Sequence, residues 1–278
     1  MKSEIERLEK IKAVFIDIDG TLTNSKCEVT EETKNAIKKL NEMKCCVVLC
    51  SGRTNKDVCK YSKEVMTSAY AISSNGAQIY NYKTNKNLYA DSIKYNDLLE
   101  VWKYCFNNKL ELILNATDLQ YGNEIFCSDI YINKKVIHNV EELKNIDIYQ
   151  IIINSNNFYD MKKCINFILD QRELNILNYS RDYVHNNIDS KEPYYIFVNN
   201  KSINKGIAIN KFLQLMNIEK EKTICFGDRI NDITMFNNCG IGIAMDNSDE
   251  ELKKIADYVT LSNNENGIAY FINTYVKK

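Results

Sequence analysis

The organisation of the chain follows from one segment near its start, which reads Val14-Phe15-Ile16-Asp17-Ile18-Asp19-Gly20-Thr21. Three apolar residues lead into two acidic ones, and this order predicts a buried parallel strand that ends at carboxylates. Because residues two apart in a strand point to the same side, we expect Asp17 and Asp19 to face one site. Neighbouring carboxylates repel each other unless a cation lies between them or one of them holds a proton. Since open α/β sheets bind ligands at this end of their strands, the segment predicts a metal-assisted reaction there.

The composition is that of a globular protein of one large domain or two smaller ones, with 278 residues of which 45% are hydrophobic. A formal net charge of -1 gives no electrostatic reason to expect a nucleic acid or an anionic membrane as partner. The charged residues 1–7 contain no apolar signal-peptide core. No apolar run approaches the roughly 18 residues that span a bilayer. We therefore expect a cytoplasmic protein that binds neither nucleic acid nor membrane.

The ten cysteines are expected to be free thiols that mainly fill the core. No Cys-x-x-Cys pair is present in the sequence, and Cys45 and Cys46 are adjacent, which is a poor spacing for a zinc site. A disulfide framework or a zinc site is therefore not predicted.

Strands and helices alternate at the start of the chain, with predicted strands at 11–17, 46–50 and 70–73. This rhythm predicts a doubly wound, mostly parallel sheet. It changes after Gly76, where a hairpin is predicted at 78–80 and 88–90, followed by a mixed block with a strand at 129–132. Further strands of the parallel sheet are predicted at 195–198, 223–226, 240–244 and 258–260.

Pro193, the only proline, stands where the mixed block is expected to return to the main sheet. We predict an α/β core domain of residues 1–83 and 190–278. An inserted α+β domain of residues 84–189 is predicted between these two segments.

Polar clusters follow the predicted strands of the core domain at four places. They read Asp17-Ile18-Asp19-Gly20-Thr21, Ser51-Gly52-Arg53, Asn204-Lys205-Gly206 and Gly227-Asp228-Arg229-Ile230-Asn231-Asp232. In this order they resemble the haloacid dehalogenase-like phosphohydrolase superfamily over nearly the whole chain. Two further motifs resemble its Cof-type branch, Ser74-Asn75-Gly76-Ala77 and Gly242-Ile243-Ala244-Met245-Asp246-Asn247.

The resemblance implies that Asp17 is a nucleophile, which splits a very slow hydrolysis into two steps through an aspartyl-phosphate. It implies that Asp19 protonates the leaving group and then takes a proton from water. Lys205 is expected to place a positive charge beside the nucleophile. Phosphate contacts are expected from Ser51, Gly52, Lys205 and Asn231.

The family pattern also implies Mg²⁺, held by Asp17, by the backbone carbonyl of Asp19 and by Asp228, with Asp232 close by. Asp232 is either a direct ligand of the metal or a residue that orients a ligand. Arg53 is either a partner in a structural ion pair or a contact of the substrate. The sequence leaves both alternatives open.

In the family, a cap lies between the second and third motifs, as residues 84–189 do here. The resemblance therefore implies a lid that excludes water and selects the substrate. The expected activity is hydrolysis of small phosphorylated metabolites, such as sugar phosphates or nucleotide-like cofactors, by a monomer or weak homodimer. The alternatives are a phosphomannomutase-like phosphotransferase and a catalytically idle sensor of a phosphorylated ligand.

Overall fold

The computed structural model describes residues 11–117, 119–123, 134–180 and 184–276. The chain forms two compact units, the first made of residues up to Tyr89 and from Asn204 onward, and the second of Ala90–Ile203. The strands of the described residues are β1 Ala13–Ile16, β2 Cys46–Cys50, β3 Tyr70–Ser73, β4 Gln78–Asn81, β5 Lys86–Ala90, β6 Glu111–Asn115, β7 Gln120–Gly122, β8 Lys134–Val136, β9 Gln150–Ser155, β10 Leu174–Tyr179, β11 Tyr194–Asn200, β12 Thr223–Gly227, β13 Ile241–Ala244 and β14 Tyr258–Val259. The α-helices are α1 Glu31–Glu42, α2 Asn55–Glu64, α3 Tyr95–Asn107, α4 Phe158–Leu169, α5 Lys205–Met216, α6 Ile233–Phe236, α7 Glu250–Ile255 and α8 Gly267–Tyr275.

The first unit is built on an eight-stranded sheet in the order β14-β13-β12-β1-β2-β3-β4-β5. β1 pairs in parallel with both β2 and β12, and β13, β14 and β3 extend the parallel part. β4 pairs with β3 in the antiparallel sense. The predicted mostly parallel α/β sheet is therefore confirmed.

Helices cover both faces of this sheet, which is why its central strands are apolar at every position. On one face, Val14 and Ile16 belong to a buried cluster with Ile37 of α1 and Phe271 of α8. On the other face, the cluster of buried apolar side chains includes Ala13, Phe15, Ile209 and Phe212. The core therefore holds β1 rigidly from both sides, so the residues that follow it are well positioned.

The second unit is an α+β unit with a six-stranded sheet in the order β10-β11-β9-β6-β7-β8. Its neighbours are antiparallel, except β7 and β8, which are parallel. Alternate residues of its strands, such as Leu112, Ile151 and Ile196, share a buried cluster with Val101 of α3 and Met161 of α4. The alternation arises because the helices cover only one face.

The bounds of the two units differ from those expected. The sequence places 195–198 in the core domain, whereas β11 pairs with β9 and β10 in the second sheet. A short apolar run has the same sequence pattern in a strand that is buried on both faces and in a strand of a mixed sheet, so the pattern cannot distinguish the two. β5 belongs to the first sheet, so the second unit covers Ala90–Ile203 rather than 84–189. The strand expected at 129–132 lies outside the described residues.

The nine cysteines among the described residues are free thiols, and all of them except Cys27 and Cys46 are buried. This agrees with the expected role in the core. Within the described ranges, no helix has both the length and the apolar character needed to cross a membrane.

Candidate active site

Asp17 follows directly after β1, and its backbone N–H still donates to the carbonyl of Phe226, at 3.1 Å. The chain then turns sharply through residues Ile18–Leu22. Gly20 adopts a φ of +81°, and a Cβ at this position would collide with the Asp228 carboxylate. Glycine therefore allows this turn to approach Asp228, and the Thr21 hydroxyl donates to Asp228 Oδ1 at 3.0 Å.

Lys205 forms the centre of a buried ion cluster. Its Nζ lies 2.5 Å from Asp17 Oδ1 and 2.7 Å from Asp232 Oδ1. Burial alone would lower the pKa of Lys205, but the Asp17 and Asp232 carboxylates outweigh burial and hold that pKa above its usual value. The lysine is the first residue of α5, which is an unfavourable place for a cation because of the helix dipole. The two carboxylates compensate for that position.

The acidic side chains of this cluster are crowded. Burial raises the pKa of Asp17 well above its usual value, although Lys205 opposes the rise. Burial, together with the nearby Asp232, raises the pKa of Asp228 to about 7. Ionising both groups therefore costs free energy that a bound cation would offset.

The Asp232 carboxylate accepts hydrogen bonds on both of its oxygens. Oδ1 accepts from Lys205, and Oδ2 accepts from the backbone N–H groups of Asp228 and Arg229, at 3.0 and 3.1 Å. Of the two roles left open for Asp232, this pattern favours orienting Lys205 and the 228–229 backbone.

The donor set fits Mg²⁺. One carboxylate oxygen from each of Asp17, Asp228 and Asp232 lies within 4.8 Å of the others. Mg²⁺ prefers such oxygen ligands. Within the described ranges, no hydrogen-bond donor occupies Oδ2 of Asp17 or Oδ2 of Asp228. These two oxygens are therefore available to a cation.

The Asp19 side chain does not join this cluster. Its carboxylate forms a two-pronged ion pair with Arg53, in which Nε lies 2.8 Å from Oδ2 and Nη2 lies 2.6 Å from Oδ1. The expectation that Asp17 and Asp19 point to the same side assumed that the strand continues. It ends at Ile16, so strand alternation no longer applies. The pair raises the pKa of Arg53 above its usual value and gives this residue an ion-pair role.

Ser51 and Asn231 present the neutral polar groups of the site. Ser51 is buried and its Oγ accepts from the backbone N–H of Arg53 at 3.2 Å, which leaves the hydroxyl hydrogen for another acceptor. Asn231 Nδ2 donates to Asn75 Oδ1 at 3.3 Å. A Cβ at Gly52 would lie 3.1 Å from the Asn75 amide, so Asn75 contacts both segments. No role was predicted for Asn75, because its place in a motif does not reveal these contacts.

The sequence-family model of the haloacid dehalogenase-like hydrolases matches residues 14–272 of this chain. The chain belongs to this family. Bacillus subtilis YxeH is 29% identical over 280 residues, which cover 95% of this chain and 98% of YxeH. The 5-amino-6-(5-phospho-D-ribitylamino)uracil phosphatase YcsE of the same organism is 28% identical over 96% of each chain. A crystal structure of a haloacid dehalogenase-like hydrolase from Bacteroides thetaiotaomicron has a TM-score of 0.81 at 22% identity and covers 95% of this chain and 99% of that one.

The family assignment predicted from the order of the motifs is thus confirmed, as is the predicted class of enzyme, a phosphatase. The structure brings Asp17, Lys205, Asp228 and Asp232 together as expected. It places the Asp19 side chain elsewhere, against Arg53.

Proposed function

We propose that this hydrolase is a Mg²⁺-dependent phosphatase that cleaves phosphate monoesters of small metabolites through an aspartyl-phosphate at Asp17. The observation that carries the proposal is the buried ion pair of Lys205 with Asp17, beside the carboxylate of Asp228. A buried charge cluster of this kind costs stability, so its presence indicates a chemical task.

Asp17, Asp228 and the backbone carbonyl of Asp19 would hold the metal, with Asp232 orienting the cluster. When bound, Mg²⁺ would neutralise the negative charge that the carboxylates and the phosphoryl group bring together. The Asp17 carboxylate, which Lys205 holds through Oδ1, is the nucleophile. Its attack forms an oxygen–phosphorus bond at Asp17 and breaks the bond between phosphorus and the leaving oxygen.

Asp19 protonates the departing alkoxide in that step. It then takes a proton from the water that attacks phosphorus, which releases inorganic phosphate and restores the Asp17 carboxylate. Lys205, the Ser51 hydroxyl and the Asn231 amide stabilise the negative charge on the phosphoryl oxygens, with Gly52 in the same loop. Arg53 pairs with the Asp19 carboxylate. In the cycle Asp19 is ionised between these two proton transfers, and it is protonated again when the turnover ends.

The substrate class that we propose is a sugar phosphate or a nucleotide-like cofactor. The relative YcsE supports this class, because the compound in its name carries a phosphate on a ribityl chain attached to a uracil. We further propose that the second unit determines which ester is accepted, since the residues assigned to the chemistry all belong to the first unit.

Release of inorganic phosphate from a panel of metabolite phosphates tests the proposal. We expect release with Mg²⁺, none with EDTA, and none from Asp17→Asn under either condition. A hexose 1-phosphate in the panel separates the alternatives, because a mutase returns an isomerised sugar phosphate and a hydrolase returns free phosphate. A flat result across the panel with Mg²⁺ would favour the idle sensor instead.

The role of the second unit is tested separately through Tyr195, which packs with Ile113 and Ile152 in a cluster distinct from the one beneath the helices. We expect Tyr195→Ala to change the ranking of esters by kcat/KM. Inhibition by inorganic phosphate, which reports only on the chemical site, should stay the same. An unchanged ranking would assign substrate choice to the first unit.

A further inference from the structure

The short turn Ser74–Gly76, which follows β3, has an unfavourable backbone conformation. Ser74, Asn75 and Gly76 have φ values of +49°, +55° and +103°, so three successive residues have positive φ. Positive φ is rare for residues other than glycine, and sparsely populated conformations of this kind cost on the order of 1–3 kcal/mol each. Such strain persists where the surroundings enforce it, and it is concentrated at functional sites.

The turn contacts two segments of the proposed active site through its backbone. The N–H of Ser74 donates to the carbonyl of Arg53 at 2.9 Å, and the N–H of Asn75 donates to the carbonyl of Ser51 at 3.0 Å. A Cβ at Gly76 would lie 2.5 Å from the carbonyl oxygen of Asn204, the residue before Lys205. The turn therefore fixes the Ser51–Arg53 loop close to the start of α5.

The Asn75 side chain reaches a third segment. It is 1% exposed, and its Oδ1 accepts the hydrogen bond from Asn231 Nδ2. This bond uses one of the two hydrogens of the Asn231 amide, fixes the rotation of that amide and leaves the second hydrogen for another acceptor. The Asn75 amide also packs against Gly52, where a Cβ would lie 3.1 Å from both of its polar atoms.

The Asn75 amide carries a cost that the fold does not require. Its Nδ2 is buried and has no hydrogen-bond partner among the described residues. An unsatisfied buried donor costs about 1–3 kcal/mol, and a glycine at this position would avoid both this cost and the backbone strain. Stability alone therefore does not explain an asparagine here.

We propose that Asn75 is a positioning residue for phosphoryl transfer, which holds the Asn231 amide and the Ser51–Arg53 loop in a single arrangement around the phosphoryl group. The proposal rests on the proposed function, because Ser51 and Asn231 are its phosphate-binding groups. Asn75 acts through these residues and does not itself touch the reacting atoms.

The test compares Asn75→Gly with the matched control Asn217→Gly. Asn217 also has a left-handed backbone, with a φ of +52°, and it is exposed at the end of α5. Glycine suits the left-handed backbone at both positions. The two variants therefore differ in one respect: the side chain lost at position 75 is buried and hydrogen-bonded, whereas the one lost at position 217 is exposed. With an aryl phosphate as substrate, we expect Asn75→Gly to lower kcat by about 10²-fold, the size of effect that a small misplacement of a catalytic group produces. Its Tm should stay within about 3 °C of the wild type, and Asn217→Gly should change neither quantity.

A double-mutant cycle with Asn231→Ala provides a readout that a merely structural role would not move. If Asn75 acts through Asn231, Asn75→Gly should lower kcat much less in the Asn231→Ala background than in the wild type. Two outcomes would overturn the inference and leave the proposed function intact. One is that the effects of the two substitutions on kcat multiply, which shows that they are independent. The other is that Asn75→Gly is fully active while Asn231→Ala is impaired. If Asn75→Gly does not fold, Asn231→Ala alone decides, because full activity of that variant would remove the group that Asn75 is proposed to position.

Binding of inorganic phosphate with Mg²⁺, measured by its effect on Tm, separates this inference from the proposed function. We expect the wild type and Asn217→Gly to be stabilised by phosphate more strongly than Asn75→Gly. This comparison does not require turnover, so it holds even where the wild type releases no phosphate from the panel. Equal stabilisation of all three proteins would overturn the inference.

Discussion

The two units bury polar side chains in different ways. The first unit buries charges, with Lys205 between Asp17 and Asp232 and with Asp228 nearby. The second buries neutral amides that form a chain. In this chain Asn115 Nδ2 donates to Gln150 Oε1 at 2.9 Å, Gln150 Nε2 donates to Asn199 Oδ1 at 3.3 Å, and Asn199 Nδ2 donates to the carbonyl of Tyr149 at 2.8 Å.

This difference separates polar groups that serve the fold from those that serve chemistry. The amides of the second unit satisfy one another across neighbouring strands, so they stabilise the sheet without any added group. The carboxylates of the first unit repel one another, and the pKa values of Asp17 and Asp228 are raised as a result of burial and crowding. In the proposed function a cation completes that cluster, whereas the amide chain requires no added group.

Among the substitutions that test this contrast between the two units, Asp17→Asn is expected to have the largest effect on turnover. We expect turnover to fall by about 10⁴-fold or more, because loss of a nucleophile removes the covalent route. The fold should remain, since an amide of nearly the same size avoids the cost of a buried carboxylate. Phosphate release and Tm measure the two effects. A variant that keeps a tenth of the wild-type turnover would show that Asp17 is not the nucleophile.

A smaller effect is expected for Arg53→Ala, which removes the ion pair with Asp19. We expect kcat to fall by about 10²-fold for alkyl phosphates, whose poor leaving groups need a correctly placed acid. The loss should be much smaller for 4-nitrophenyl phosphate, whose leaving group needs little protonation. Arg53→Lys should be intermediate, because lysine retains the charge and loses the planar fork. Equal losses for both kinds of ester would mean that Arg53 does not act through Asp19.

In the second unit, Gln150→Leu should affect stability and leave catalysis intact. It removes the middle of the amide chain, so Asn115 Nδ2 loses its acceptor Gln150 Oε1 and Asn199 Oδ1 loses the donor Gln150 Nε2. We expect a loss of about 1–3 kcal/mol in the free energy of unfolding, measured by denaturant titration, because buried polar groups become unsatisfied. The exposed Gln214→Leu serves as the control and should change neither property. A loss of kcat without a loss of stability in Gln150→Leu would break the comparison.

The smallest effect concerns pH and Mg²⁺. The folded metal-free protein holds the Asp228 proton with a pKa of about 7, above the ordinary value for an aspartate. The stability due to this proton is fully present below the ordinary pKa and is lost as the pH rises through about 7. Mg²⁺ should therefore raise Tm more at pH 8, where it replaces the proton, than at pH 5. An equal rise at both values, or none at pH 8, would contradict a metal site at these carboxylates.

Much of the first unit could be predicted from the sequence, because its central strands are buried on both faces and each ends in a polar motif. The apolar runs at Val14–Ile16 and Val47–Leu49 pair directly in the sheet. Asp17 and Asp228 are adjacent because β1 and β12 are neighbours that end at the same level. The second unit was harder to predict, since Asn175 and Asn178 interrupt the apolar residues of β10 and the run 195–198 fits either sheet.

Two features of the site could not be predicted, because they depend on geometry beyond local pattern. The Asp19 side chain turns to Arg53 because β1 ends three residues before it. The contacts of Asn75 with Asn231 and Gly52 depend on the left-handed turn that carries it. A sequence motif marks Asn75 without showing what it touches.

Trapping of the phosphorylated protein tests the central claim that Asp17 accepts the phosphoryl group. The protein is mixed with an excess of acetyl phosphate and Mg²⁺, quenched in acid and reduced with borohydride, which converts an aspartyl-phosphate into homoserine. Peptide mass spectrometry then locates the change. We predict homoserine at position 17 in the wild type and none in Asp17→Asn. Rapid phosphate release without any change at position 17, or a change at a different aspartate, would contradict the account.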